Sequence, residues 1–517
     1  MSQAIRRGDV FRYESFSIDA DQGLLTCRYS LDGREFAERV TLAHDSQDHR
    51  DRWDTPQAQA AARLVFLLAG VSYYKTAAPP VIDLGETALT DLERAFLRDF
   101  YLQGLGEYAY KNNLDLSALE IRAHTRETGG HEAQRAPASP EKGAVADGLS
   151  GATEERGSAA REEAALKRPY RGAPGGYSVR PPGQTQRPLI PFGGGIDSIV
   201  TVEKIRALAP DSALFVVSKP GALFDAIEKP AAVTGLPVVR AGREIDPQLL
   251  SSAQLGFLNG HVPVTGIISA IGILAAVLDG RDAVIMSNEW SASIPTLEHD
   301  GKPVNHQYSK SAAFEAAFRA VLAAAPEGLP DYFSALRDRT ELWVGDEFSR
   351  LTAYHGTFRS CNRAFHIDPA RRLNHWCGEC DKCVFIDLIL APFLPAAALR
   401  DVFGVVPEPL EAAQLAPKFR TLLGSGTKPF ECVGEVNECR AAVLLAARRP
   451  DRAGCALLQE LAAEVAGRPD APSEAEIAAM QRPVGENNIP AAYTFGGSGG
   501  ILRSPTRANT ANGSTRA

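Results

Sequence analysis

Three short stretches of this sequence gather residue types that do chemistry. The first is Gly193-Gly194-Gly195-Ile196-Asp197-Ser198, directly after the apolar run Leu189-Ile190-Pro191-Phe192. Consecutive glycines let a backbone approach a phosphate without Cβ interference. The amides of the next helix then supply donors at the positive end of its dipole. Gly193, Gly194, Gly195 and Ser198 are therefore expected to cradle phosphate, and Asp197 to cap the helix or hold Mg2+ or water. The loop is neither GxxxxGK[ST] nor GxGxxG, so kinase-type and dinucleotide readings do not fit. A lone glycine turn with an Asp cap is the bland alternative, and the strand, turn and helix context argues against it.

The second stretch is thiol-rich. Cys361, then Cys377-Gly378-Glu379-Cys380-Asp381-Lys382-Cys383, offers three closely spaced thiolates and one remote partner. That set suits a tetrahedral Zn2+, and closure by four sulfurs leaves no position for water, so the expected role is structural. An iron–sulfur cluster uses the same ligands. The third stretch is polar: Ser287-Asn288-Glu289-Trp290-Ser291-Ala292-Ser293, followed by Val304-Asn305-His306-Gln307-Tyr308-Ser309-Lys310-Ser311. Glu289, His306, Tyr308 and Lys310 are the acid/base candidates, since each can carry a proton if its environment tunes it. Lys310 equally suits a phosphate and Glu289 suits Mg2+. Lys428 to Glu435 reads as the start of a helix, capped around Pro429 and Glu431, with Cys432 a candidate thiol acid/base.

These loops need a frame, and the apolar pattern supplies one. Leu189–Phe192, Ala213–Ser218, Pro237–Arg240 and Asp282–Met286 are short apolar runs separated by helical stretches, the mark of a parallel sheet. Ligands in such sheets bind beyond the carboxyl ends of the strands, here Gly193 onward, Ser218-Lys219 and Ser287-Asn288-Glu289. The apolar run 262–278 contains Pro, Gly and Thr and is read as a buried helix, not a membrane span. Upstream, alternation around Val10–Ser15 and Leu24–Tyr29, with turns at Asp21-Gln22-Gly23 and Asp32-Gly33, predicts an antiparallel hairpin or meander. Thr55–Lys75 and Thr90–Tyr110 carry helical spacing.

The expected organisation is an N-terminal α+β unit at 1–123 and a disordered insertion at 124–186. An α/β domain at 187–345, a helical region with the cysteine cluster at 346–495 and a disordered tail at 496–517 follow. The net charge of -8 argues against a general nucleic-acid binder. Met1–Tyr13 carries charge but no apolar run, so a cytoplasmic enzyme without a signal peptide is expected.

GGGIDS resembles the PP-loop of the ATP pyrophosphatase superfamily, SGGxDS, with Gly193 in the first Ser position. The cysteine arrangement resembles the zinc site of the 7-cyano-7-deazaguanine synthase branch. Taken with SNEWSAS, VNHQYSKS, SCNRAF…WCGECDKCVF, KPFECVGEVNE and FRYESFSID…YSLDGREFAERVTL, the chain to about Arg448 resembles the UDP-N-acetyl-α-D-muramoyl-L-alanyl-L-glutamate epimerases. The resemblance implies an adenine nucleotide alpha hydrolase-like fold and ATP with Mg2+ as cofactors. It also implies ATP-dependent inversion of the terminal glutamate of UDP-MurNAc-L-Ala-L-Glu through an acyl-adenylate. Arg359, Arg363 and Lys310 would grip the anionic substrate. Family members often carry Lys where Ile196 stands, a cation that Lys219 or Lys310 would have to replace. The competing expectations are a deazaguanine-type nucleobase or tRNA-modifying ligase and a non-catalytic nucleotide-binding protein.

Overall fold

Turn residues set the first three strands. β1 (Val10–Asp19), β2 (Leu24–Leu31) and β3 (Arg34–Leu42) form the expected antiparallel meander. The β2–β3 turn places both Asp32 (φ 47°) and Gly33 (φ 83°) in the left-handed region, the two-residue turn that matches strand twist. The computed structural model describes residues 7–42, 47–126, 186–366 and 368–495. The insertion expected at 124–186, apart from residues 124–126 and 186, and the tail at 496–517 lie outside the described residues.

The remaining strands are β4 (Val81–Asp83), β5 (Glu120–Arg122), β6 (Pro188–Pro191), β7 (Ala213–Ser218), β8 (Val238–Glu244), β9 (Ala283–Met286) and β12 (Asp331–Ser334). A small hairpin of β10 (Leu297–His299) and β11 (Lys302–Val304) stands apart. One mostly parallel sheet runs in the order β12-β9-β6-β7-β8-β3-β2-β1-β4-β5. Helices Ile196–Leu208, Asp225–Thr234, Val264–Leu278 and Ala312–Ala324 connect β6, β7, β8, β9 and β12 in turn. From β6 the chain winds outward through β7 and β8, then returns to the other side for β9 and β12. The order therefore reverses between β6 and β9, where a crevice opens beyond the strand ends.

Strand β12 lies in a stretch that is otherwise helical, and the apolar pattern does not announce it. Its apolar signal is only Tyr332-Phe333, too short to read as a strand. It is held as one by parallel pairing with β9. The N-terminal meander is not a separate sheet: β3 pairs antiparallel with β8 from Arg39↔Glu244 to Leu42↔Ala241.

Period-two alternation splits the interior into two layers. Ile190, Leu214, Ile285 and Phe333 face a core built with the C-terminal helices. Leu189, Phe215, Val284 and Tyr332 face a core built with the N-terminal helices and Val264–Leu278. The latter helix is buried over most of its length, as expected from its composition. Among the described residues no helix is long and apolar enough to cross a membrane.

Candidate active site

The glycine turn stands at the end of β6. Gly194 has φ +75°, and a Cβ there would lie 2.1 Å from the carbonyl oxygen of Ala226, so only glycine fits. Gly193, by contrast, has nothing within 4 Å of its Cβ position, so this side of the turn is open. Gly195 is the N-cap of helix Ile196–Leu208 and no side chain caps it, which leaves the first-turn amides for a ligand. Ser198 turns its hydroxyl inward and donates to the Gly195 carbonyl at 3.0 Å. Ile196 is buried in the C-terminal-side core.

Asp197 meets two acids from other segments. Carboxylate oxygens of Asp197, Glu289 and Glu341 lie within 4.8 Å of one another, and Glu289 and Glu341 are buried. Asp197 Oδ1 and Glu341 Oε2 are buried without a hydrogen-bond partner among the described residues. Burial, and then the Glu289 charge, push the Asp197 carboxyl up to about 7, against the pull of Lys382 and Lys310. Burial, Asp197 and Glu289 push Glu341 well above the usual carboxylate range. Three such groups are at ease together only when protons or a cation offset their charge.

The surrounding structure fixes each of them. Glu289 follows β9, where the Asn288 amide donates to Ser334 Oγ at 2.7 Å. Arg337, 2% exposed, donates to the carbonyls of Glu289 (3.1 Å) and Lys310 (2.7 Å) and to Glu315 Oε2 (3.0 and 2.8 Å). One guanidinium thus ties both polar loops together. Glu341 opens helix Glu341–Ser349, and its amide donates to Glu438 Oε2 at 2.7 Å. Burial, with Glu435 and Glu289 adding, raises Glu438 to about 8.

A second group adjoins the first. Lys310 Nζ lies 3.1 Å from Cys432 Sγ and 3.3 Å from Gln307 Oε1. His306 Nδ1 hydrogen-bonds Glu107 of the N-terminal helix Gly106–Asn112, and the imidazole lies close enough to Cys432 to lower its proton affinity. The His261 ring lies tilted against that of His306, 4.2 Å between ring centroids. Tyr308 does not join them through any side-chain hydrogen bond among the described residues: its ring packs at 6.1 Å from Phe314 in the core, and burial holds the phenol far above its ordinary range.

The four cysteines do come together. Sγ atoms of Cys361, Cys377, Cys380 and Cys383 all lie within 4.8 Å of one another, with Cys377–Cys383 at 3.7 Å and Cys380–Cys383 at 3.4 Å. Four thiolates about 2.3 Å from a tetrahedral Zn2+ stand about 3.8 Å apart, so the set fits that ion. The cluster also shapes the site. Lys382 donates from between its ligands to the Cys432 carbonyl, and Ser360 Oγ sits 3.0 Å from the Cβ position of Gly195. Arg359 is buried beside it, and its Nε and Nη1 have no partner among the described residues. Arg363 instead lies at the surface, paired with Glu379 at 2.5 Å, and Lys219 is exposed.

The expected helix start around Pro429 and Glu431 is displaced. The helix spans Val436–Ala447 with Glu435 as its cap, its carboxylate accepting from Asn437 N at 2.6 Å. Glu431 accepts from Asn362 at 3.0 Å instead, and the freed loop brings Cys432 to Lys310. Sequence reading missed Glu341, Lys382, Arg337, Glu438 and Glu107. Thr340-Glu341 carries a helix-start signal and no more, because an acid in a first turn is ordinary. Glu107 lies 199 residues from His306, and no local pattern joins them.

The MurL N-terminal domain family matches residues 2–148 and 161–335, and the MurL C-terminal domain family matches 357–476. Relatives named UDP-N-acetyl-alpha-D-muramoyl-L-alanyl-L-glutamate epimerase include one from Xanthomonas oryzae pv. oryzae, 33% identical over 93% of this chain and 95% of its own length. Others come from Salinispora tropica (36% identical, 86% of each chain) and Micromonospora sp. (34%, 87% of this chain and 89% of the relative). No solved structure matches. With identity at this level across both domains and nearly the full length of its relatives, the chain belongs to the UDP-N-acetyl-α-D-muramoyl-L-alanyl-L-glutamate epimerase family, MurL.

Proposed function

We propose that this chain is a cytoplasmic ATP-dependent epimerase of peptidoglycan precursor synthesis. It converts the terminal L-glutamate of UDP-MurNAc-L-Ala-L-Glu to D-glutamate through an acyl-adenylate, with release of AMP and pyrophosphate. The observation that carries the reading is the acid trio Asp197, Glu289 and Glu341 beside an open, uncapped glycine turn at the sheet's switch point. Counted from β6, the strand order is 3-2-1-4-5, which supports a PP-loop core within 187–345.

In this reading the Gly193–Gly195 backbone and the first-turn amides hold the phosphates. The orphaned oxygens of Asp197 and Glu341 fit Mg2+, with Glu289 as third ligand. Bound there, the ion shields phosphate charge during attack at the α-phosphate. Lys310 and Lys382 supply the positive charge that Ile196 does not, and Arg359 grips an anionic group of the substrate. The cysteine set would hold Zn2+, a brace that would keep Arg359 and Lys382 in place.

The chemistry follows from acidity. An α-proton beside a free carboxylate is too weakly acidic for a side chain to remove. Adenylation neutralises that anion and makes the carbonyl electron-withdrawing, so a base can form an enolate-like species that oriented donors stabilise. Reprotonation on the other face inverts the centre, and hydrolysis frees the acid. Incubation in D2O with UDP-MurNAc-L-Ala-L-Glu, ATP and Mg2+ tests the scheme. Deuterium at the glutamate α-carbon together with AMP is expected; inversion without AMP overturns the adenylate, and AMP released only with a nucleobase substrate overturns the epimerase.

A further inference from the structure

Four cysteines stand outside the zinc-type set, and three are unremarkable. Cys27 and Cys439 are buried, and burial pushes both thiols up. Cys455 donates to the Leu410 carbonyl at 3.2 Å. Cys432 differs in its charged surroundings. Its sulfur faces the Lys310 ammonium at 3.1 Å, and the His306 imidazole lies close enough to act on it electrostatically. His306 is in turn held by the buried Glu107, which Lys111 also contacts at 2.5 Å. The Cys432 backbone is pinned by Lys382. A thiol ringed by cation donors, with an acid behind the imidazole, is the arrangement that stabilises a thiolate.

We propose that Cys432 is a catalytic residue of the epimerisation, the group that removes the α-proton of the activated glutamate, with Lys310 beside it and Glu107 and His306 as its positioning pair. The inference rests on the epimerase reading above. As the Cα–H bond breaks, an S–H bond forms on Cys432. The pair from the Cα–H bond forms the Cα–C double bond, and the carbonyl π pair moves onto the activated carbonyl oxygen, beside the Lys310 ammonium. A proton from water on the opposite face restores a Cα–H bond with inverted configuration, and the thiol returns its proton to solvent.

The charged environment agrees with this geometry. Burial alone raises the thiol, but Lys310, His306 and Lys382 outweigh it and bring Cys432 down to about 6. Burial alone lowers the imidazole, but Cys432 and Glu107 outweigh it and bring His306 up to about 9. Also facing this group are His261, Lys111, Asp197 and Glu289. The pair is therefore charged between the two values, and α-proton exchange should rise through about 6 and fall through about 9.

The test separates activation from proton transfer. C432S and C432A should still release AMP and pyrophosphate, while deuterium incorporation at the α-carbon falls by about 100-fold or more. E107Q should keep AMP release, lower the exchange rate and move the acidic limb of its pH profile upward. If either Cys432 variant fails to fold, alkylation of the wild-type chain by iodoacetamide decides, with the modified cysteine located by peptide mass spectrometry. Cys432 should react with a midpoint near 6 and be protected by UDP-MurNAc-L-Ala-L-Glu with ATP and Mg2+. Exchange within a few-fold of wild type in C432A, equal loss of AMP and exchange, or a Cys432 that alkylates without substrate protection would overturn the proposal. Absence of AMP from the wild-type chain itself would instead sink the adenylation reading and is recognisable as such.

Discussion

Two sets of buried acids in this fold behave in opposite ways. Glu38 sits where β3 meets β8, fully buried, and accepts from Arg243 Nε (2.8 Å), Arg243 Nη2 (3.2 Å) and the Tyr73 hydroxyl (3.0 Å). Asp331 on β12 is likewise held in a two-pronged pair with Arg319, at 2.8 and 2.7 Å. At the mouth of the crevice, Asp197, Glu289 and Glu341 crowd together, and two of their oxygens have no partner among the described residues. Burying a carboxylate is costly wherever it happens. At the sheet seam a guanidinium offsets that cost and the result is architecture. In the crevice nothing among the described residues offsets it fully, and the proposed Mg2+ and nucleotide would supply what is missing.

The contrast can be broken by substitution, and the largest effect should fall on chemistry. Asp197→Asn should lower AMP and pyrophosphate release by more than about 100-fold while the melting curve stays near wild type; undiminished turnover would remove Asp197 from the site. Glu38→Ala should do the reverse. It strands Arg243 and should cost about 3–5 kcal/mol in denaturant unfolding, without changing the nucleotide dependence of what remains folded. Removing the proposed zinc, by Cys380→Ser or a strong chelator, should lower the melting temperature and weaken ATP binding together, since the cluster carries Lys382 and flanks Arg359. Elemental analysis showing no metal in the wild-type protein would cancel that expectation.

Smaller effects sharpen the comparison. Glu341→Gln removes an ionisable carboxyl from a crowded trio, so the nucleotide-free protein should be unchanged or about 1 kcal/mol more stable while Mg2+ affinity falls; a clear loss of stability would make Glu341 a structural acid like Glu38. The pH dependence has a definite sign. Burial raises Asp197 from 3.8 to about 7. Below the lower value both folded and unfolded chains carry the proton. Between the two the unfolded chain ionises and the folded site resists, so stability falls as pH rises, by up to about 1.4 kcal/mol per unit. Above the upper value this contribution is constant. Unfolding curves from pH 5 to 8 should show the slope, and Mg2+ with ATP should flatten it.

Much of the frame was readable in the chain. Asp32-Gly33 announced its turn, Thr55 and Thr90 cap the helices that follow them, and Ile190, Leu214 and Ile285 sit in strands as their apolar runs implied. The short strand at Tyr332-Phe333 was not readable, because two apolar residues do not make a period, and pairing with β9 decides it. Nor did the helix at Val436 begin where Pro429 suggested, since Lys382 and Lys310 hold the intervening loop at the site. In the candidate site, Asp197 and Glu289 stood out because they lie just beyond strand ends. Glu341, Lys382 and Glu107 did not, because each looks like a solvated helix residue in its own segment.

What the amino-acid order determined by itself is local. Three glycines after a strand make a turn open to phosphate, cysteines spaced by two residues can share a metal, and alternating short strands and helices give a parallel sheet. What only the tertiary structure decided is the meeting of groups. Asp197, Glu289 and Glu341 converge from three segments, and Glu107 reaches His306 across the molecule. The reason is physical: short-range preferences fix dihedral angles within a few residues. Sheet register and packing against two cores fix which distant side chains share one low-dielectric space, and there their charges and protons become interdependent.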